Sequence, residues 1–421
     1  MNGASELKTK RRMASGPKAP HRPRHVASRI GSLLAQVRWI AQVLLMVLFA
    51  ACGSAHRAPP VPGGATIDSV AARLMAREHV EGLALAVIDA GAVVHVAAYG
   101  RRNVERNLPL TRRTIMYGAS LTKTVVAYLA LQLADEGRLN LDASVAALLP
   151  KPLPEYADYA DLAVDARWRA LTPRIILTHT TGFANFRWLE PDKRLHIHAD
   201  PGTRYGYSGE GFYLLQLVIE EGLKLDLGRE MQQRLFDRFG MTRTSMQWRP
   251  DFREDLADGY RLDGSMEPHD ERSGPSAAGS MDTSIEDQAR LWAGIVRGDG
   301  LSATSRATLV RPQAPIASRH QFPTLMTDTG PRNASIGLSA GLGLVTFQDA
   351  LGPAWFKGGH NDSTGNMVIC LDRQRRCLVM LANDARAERI YPELARAILG
   401  DIAMPWTWEY GWLASTPPAA P

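Results

Sequence analysis

Ser120 and Lys123 stand three residues apart in "YGASLTKTVVAYLALQLADEG", Tyr117 to Gly137. On a helix that spacing puts both side chains on one face, with about 5–6 Å between Cβ atoms, so the amine can reach the hydroxyl. A serine beside such a base is an activated nucleophile, able to attack a carbonyl carbon and form an acyl-enzyme that water then hydrolyses. Spacing alone does not carry that chemistry, because Ser5-Glu-Leu-Lys8 and Ser15-Gly-Pro-Lys18 match it in a stretch without helical periodicity. The same pair also has a plain reading, a capping serine and a lysine that reaches outward to solvent. What sets Lys123 apart is the run behind it. Val125, Val126, Leu129, Leu131 and Leu133 predict a buried central helix, on which a lysine must be paired or lose its charge. Ser120 would then sit where unpaired N–H groups and the positive end of the helix dipole gather.

Two other segments supply residue types that such a site needs. In "PGTRYGYSGEGFYLLQLVIEEG", Pro201 to Gly222, a turn-rich lead runs into an amphipathic helix with Tyr207-Ser208-Gly209 at the junction, and in "WFKGGHNDSTGNMVICL" Lys357-Gly358-Gly359 opens a strand. The elements that must position them are legible at both ends of the chain. "GLALAVIDAGAVVHVAAYG", Gly82 to Gly100, is two apolar runs around Asp89-Ala-Gly91, and Met367 to Asn383 is two more around a charged turn, so each predicts a hairpin. A helix from Asp68 with a capping residue in front precedes the first pair, and another from about Pro392 follows the second. Between them lie helical segments at Ser120–Glu136, Glu210–Lys224, Arg229–Phe239 and Ser284–Arg297, the last with a Ser284/Asp287 capping pair. The fold class expected is α+β: one antiparallel sheet assembled from both chain ends, covered by helices, with a mainly helical subdomain inserted at about 141–265.

In order, Ser120-x-x-Lys123, Tyr207-Ser208-Gly209 and Lys357-Gly358-Gly359 resemble the S-x-x-K, Y-x-N and K/H-T/S-G motifs of the β-lactamase-related serine hydrolases. That group includes class C β-lactamases, DD-peptidases, D-aminopeptidases and β-lactamase-like esterases. "ILTHTTGF", "RFGMTRTSM" and "SAAGSMDTSIED" resemble further family signatures, and the likeness spans roughly residues 65–400. It implies Ser120 as nucleophile, Tyr207 as general base held as a phenolate by Lys123 and Lys357, and an oxyanion site between the N–H groups of Ser120 and His360, beside Gly358 and Gly359. It also makes His179 a structural hydrogen-bonding residue. Gly209 stands where the family often has Asn, and Gly358 where it has Thr or Ser. The third motif has two registers, on Lys357 or on His360. Three functions follow: a hydrolase of esters or amides, a penicillin-recognising enzyme (β-lactamase or DD-peptidase), or a catalytically silent envelope protein. The substrate expected is a small-molecule or peptide-like carbonyl compound, with no cofactor.

The formal charge of +6 does not indicate nucleic acid. Residues 1–51 hold nine Lys/Arg and one acid, leaving 40 basic and 42 acidic residues for the rest, and there is no P-loop or dinucleotide fingerprint. That basic tail precedes "WIAQVLLMVLFAAC", Trp39 to Cys52, too short to span a bilayer and similar to an export signal ending in a bacterial lipobox. We therefore expect an export signal over 1–51, a lipid on Cys52, a tether over 52–64, a catalytic domain over 65–405 and a tail over 406–421, in a protein anchored to a bacterial envelope membrane and facing the periplasm. "PWTWEYGW", Pro405 to Trp412, is expected to pack on the sheet rather than meet a membrane. Cys370 and Cys377 flank the charged turn and form an even pair suited to a cross-strand bridge. His196-x-His198-x-Asp200 could open a zinc motif, but Pro201 stands where another His should follow, so no metal is expected.

Overall fold

The computed structural model describes residues 58–411. Helix α1 (Gly64–Glu78) leads into β1 (Gly82–Asp89) and β2 (Ala92–Asn103), then β3 (Leu108–Pro109) and the central helix α2 (Leu121–Asp135). A helical stretch containing α3 (Gly209–Leu217) follows, then α4 (Ile285–Arg297) and short strands β4 (Ala314–Pro315) and β5 (Ser339–Ala340). The chain returns through β6 (Val345–Asp349), β7 (Gly352–His360), β8 (Gly365–Leu371), β9 (Arg376–Ala382) and α5 (Tyr391–Leu399). The nine strands form one antiparallel sheet in the order β3-β2-β1-β9-β8-β7-β6-β5-β4. Strands from opposite ends of the chain meet at its centre, with Leu83 opposite Ala382 and Ile88 opposite Cys377.

The apolar runs of β1, β8 and β9 do not alternate because both faces of the sheet are covered. Ala84, Ala86, Val368 and Val379 face α2 and α4, while Leu85, Val87, Ile369 and Met380 face Ile67 and Leu74 of α1 and Leu394 and Ile398 of α5. Burying each large aliphatic side chain contributes about 1.5–3 kcal/mol, which holds the two ends together without a local contact between them. Ala90 and Gly91 both take positive φ, the twist a two-residue hairpin demands.

At the β8–β9 turn, Asp372 O accepts from Arg375 N, Arg373 and Gln374 are central, and Cys370 stands directly opposite Cys377 in a disulfide with Cα atoms 4.1 Å apart. Reducing it, or replacing both residues by Ser, is expected to lower stability by about 2 kcal/mol from loop-closure entropy. Denaturant titration of the oxidised and reduced protein checks this; coincident midpoints would contradict it.

Several boundaries differ from expectation. Helix α1 begins a turn earlier than Asp68, on Gly63, with no side-chain cap; Asp68 instead accepts from the Tyr99 hydroxyl. The expected tether already packs at Pro59, whose carbonyl accepts from Arg376. Helix α3 ends as an α-helix at Leu217 and widens to a π-turn over Val218–Gly222, and the segment from Leu227 widens likewise at Gln232–Phe236. Within the segment assigned to the tail, Trp406–Glu409 is a helical turn, and Trp408, Glu409 and Tyr410 are buried, in keeping with the packing expected of this aromatic stretch. Cys52 and the export segment lie outside the described residues. Among those described, no helix is long and apolar enough to cross a membrane.

Candidate active site

Ser120 opens α2 from a turn in which Ala119 is left-handed (φ 46°). That conformation costs a non-glycine residue about 1–2 kcal/mol, and it aims the serine away from the helix axis rather than into a cap: Ser120 makes no side-chain capping bond. The N–H groups of Leu121, Thr122 and Lys123 each find a backbone acceptor, while that of Ser120 has none among the described residues. Lys123 Nζ lies 3.1 Å from Ser120 Oγ and donates to the Ala278 carbonyl at 2.6 Å. Thirteen of the fifteen residues of α2 are buried, so this lysine has no route to solvent. Burial, and then the charge of Lys357, push its pKa well below the usual lysine range. Once it has given up a proton, this amine can keep one N–H on Ala278 and turn its lone pair on Ser120.

Tyr207 and Lys357 arrive from opposite parts of the chain. The Tyr207 hydroxyl stands beside Ser120 and lies 3.4 Å from Lys357 Nζ, and the two lysine nitrogens stand 5.0 and 5.1 Å from the Tyr207 ring. Lys357 also donates to the Gly358 carbonyl. Burial lowers the Lys357 pKa to about 8, with Glu409 opposing the fall. For Tyr207 the expected phenolate is corrected: burial pushes the phenol up, and the bond with Ser120 only partly offsets it. The resting tyrosine is neutral. It is held by His179, which stacks on its ring at 4.4 Å and accepts at Nδ1 from Ser208 N, so His179 supports the site from behind. Ser208 caps α3 by accepting from Gly211 N.

Strand β7 sets the third motif against the helix start. A Cβ on Gly359 would stand 2.9 Å from Leu121 N and 3.1 Å from Ser120 N, so only glycine lets the strand approach this closely. With Lys357 facing Tyr207 and Gly359 facing Ser120, the geometry favours the Lys357 register; His360 instead pairs with Glu388 at 3.3 Å. The two departures from the family pattern both have occupants. A Cβ on Gly209 would overlap the Phe186 ring, and one on Gly358 would overlap Glu409 Oε1. Sequence reasoning missed Phe186, and it missed Glu409 because the expected tail contained it. The unfilled volume at each glycine was the available signal.

The H-x-H-x-D segment does not converge. His196 pairs with Asp192 at 2.8 Å, His198 with Glu190 at 2.5 Å and Asp200 with Arg167 at 3.1 Å, and no metal-sized group of ligands occurs among the described residues.

Known proteins resemble this chain in family and fold. The sequence profile described as Beta-lactamase matches residues 67–401. Protein flp of Staphylococcus aureus (strain MRSA252) is 25% identical over 214 residues, 47% of this chain and 41% of that protein. Protein Rv1367c of Mycobacterium tuberculosis is 25% identical over 280 residues, 58% of this chain and 68% of that one. The match thus spans about two fifths of the staphylococcal protein. Among solved structures, the octameric penicillin-binding protein homologue from Pyrococcus abyssi superposes with a TM-score of 0.62 at 20% identity, over 79% of this chain and 76% of that one. D-alanine carboxypeptidase AmpC from Burkholderia cenocepacia gives 0.62 at 21%, over 80% and 97%.

Proposed function

We propose a reaction from one premise, that this chain belongs to the beta-lactamase family: it is a serine hydrolase that cleaves an ester or amide through an acyl-enzyme on Ser120. The observation that carries this reading is the meeting of Lys123 Nζ and the Tyr207 hydroxyl on one Ser120 Oγ, with Lys357 behind the tyrosine. As Oγ attacks the carbonyl carbon, its proton passes to the neutral Lys123 amine. The N–H groups of Ser120 and His360 receive the developing oxyanion, beside Gly358 and Gly359. Tyr207 gives its proton to the departing oxygen or nitrogen, and the phenolate formed between two ammonium groups recovers a proton from Lys123. Water then enters as the second nucleophile and the same transfers run in reverse.

The substrate follows from the two glycines. A β-lactamase must hold its substrate's acylamide and carboxylate, yet Phe186 fills the space of the missing amide and Glu409 that of the missing hydroxyl. A hydrogen bond to a charged group contributes about 1.5–3 kcal/mol and a neutral one about 1, so losing both costs on the order of 10²–10³ in specificity. Short-chain p-nitrophenyl esters are expected to be hydrolysed with a kcat/KM at least about 10²-fold above that for cephalosporins. The reverse order would promote the penicillin-recognising reading.

The site is proposed to work outside the cytoplasm, on a lipid-anchored chain. Cys52 follows the only apolar export-like run and precedes a Pro/Gly-rich segment. Metabolic labelling with a fatty-acid analogue should mark the protein, and label persisting in Cys52→Ala would refute the assignment.

A further inference from the structure

Glu409 reaches the catalytic strand from the far end of the chain. Its side chain is only 3% exposed. Oε2 accepts from Gln321 Nε2 at 2.9 Å, and Gln321 Oε1 accepts from the Tyr205 hydroxyl at 3.1 Å, so the carboxylate is fixed in place. Oε1 has no hydrogen-bond partner among the described residues. It occupies the volume that a side chain at position 358 would take.

Glu409 lines a cavity of about 770 Å³ together with His360 and Phe322. The Phe322 ring stands 5.4 Å from that of Tyr207 and 5.5 Å from that of His360, so the cavity adjoins the site. Asp263, Asp362 and Glu388 line it too, as do His320 and Arg261, the latter paired with Glu267, and Glu388 is the partner of His360. Lys357 and His360 act on this carboxylate electrostatically but give Oε1 no hydrogen bond; Lys357 donates to the Gly358 carbonyl and lies 3.4 Å from the Tyr207 hydroxyl. A buried carboxylate oxygen without a donor is rare, and Glu409 is itself one of the residues lining the cavity from which a donor would come.

We propose that the Glu409 carboxylate is a substrate-recognition group that binds a protonated amine on the leaving-group side of the scissile bond and rejects a carboxylate there. The side follows from chemistry: the carboxylate of a β-lactam, which a hydroxyl at position 358 would meet, is carried on the carbon bonded to the nitrogen that departs from the carbonyl. A second carboxylate brought beside Glu409 would place two like charges in a buried site, where one must take up a proton. This inference rests on the hydrolase reading of Ser120 and names the substrate class that reading leaves open.

The test uses three aryl acetates that differ only in a para substituent: 2-(dimethylamino)ethyl, ethyl or 2-carboxyethyl. In the wild-type protein kcat/KM is expected to fall in that order, by about tenfold or more from cation to neutral, as one hydrogen bond between charged groups supplies. Glu409→Gln, which keeps shape, should shrink the cation-to-anion ratio at least about tenfold. An anionic ester hydrolysed as well as the cationic one, or a ratio unmoved by Glu409→Gln, overturns the proposal. Hydrolysis of none of the esters, or hydrolysis that survives Ser120→Ala, overturns the hydrolase reading instead. Calorimetry with the three phenols reads the preference without turnover: tighter binding of the cationic phenol supports the role of Glu409, and equal or tighter binding of the anionic one removes it.

Discussion

Ser120→Ala is expected to lower kcat/KM for p-nitrophenyl acetate by about 10⁴-fold or more, leaving only what binding and the oxyanion site supply. The size of the effect follows from the removal of the attacking atom itself: Ser120 Oγ is the hydroxyl that Lys123 Nζ approaches at 3.1 Å and that Tyr207 stands beside. Stability is expected to fall by only about 1–2 kcal/mol, because the hydroxyl caps no helix N–H and its loss takes one hydrogen-bond partner from the buried Lys123. Progress curves and thermal melts on the same preparations separate the two. A stable variant that still turns over would remove Ser120 from the mechanism and support the reading of a fold that works without it.

Lys123→Met is expected to cost about 10²–10⁴ in kcat/KM, the usual contribution of a positioned general base. Met has nearly the same length, so the substitution removes the proton acceptor without opening a large cavity. The Ala278 carbonyl loses its donor, which destabilises, while removal of a buried amine relieves a desolvation cost, which stabilises. The two oppose each other, so activity should fall far more than stability. The pH profile adds a sign. Burial, and then the charge of Lys357, hold Lys123 well below the ordinary lysine range, so the amine loses its proton at lower pH than an exposed lysine and activity is lost on the acid side as it takes that proton up. On the alkaline side the loss should centre near pH 8, where Lys357 gives up the charge that stabilises the transient phenolate. Lys357→Gln should remove that alkaline limb. An alkaline limb that persists in this variant would mean that another group sets it.

The parts of this molecule visible in its sequence were those with local periodicity or a demanding backbone. The two hairpins showed through their apolar runs and the Asp89-Ala-Gly91 turn, and α2 through its apolar positions. The pairing of β1 with β9 rested on symmetry between the chain ends and on family likeness, since no local signal joins Leu83 to Ala382. The site residues were legible as types, but their electrostatics were not. Two cations near Tyr207 suggested a phenolate; the burial that pushes the phenol up depends on packing by His179 and Phe322, far apart in the chain. Glu409 was illegible for the same reason. It is one acid among aromatic residues near the C-terminus, and only the folded chain brings it over Gly358.

Intact-mass spectrometry after treatment with a fluorophosphonate probe tests the central claim, that Ser120 is an activated nucleophile. The account predicts a single adduct per chain, mapped by peptide sequencing to Ser120, absent in Ser120→Ala and formed at least about 10²-fold more slowly in Lys123→Met. A wild-type protein that stays unmodified, or an adduct on another residue that persists in Ser120→Ala, would contradict it.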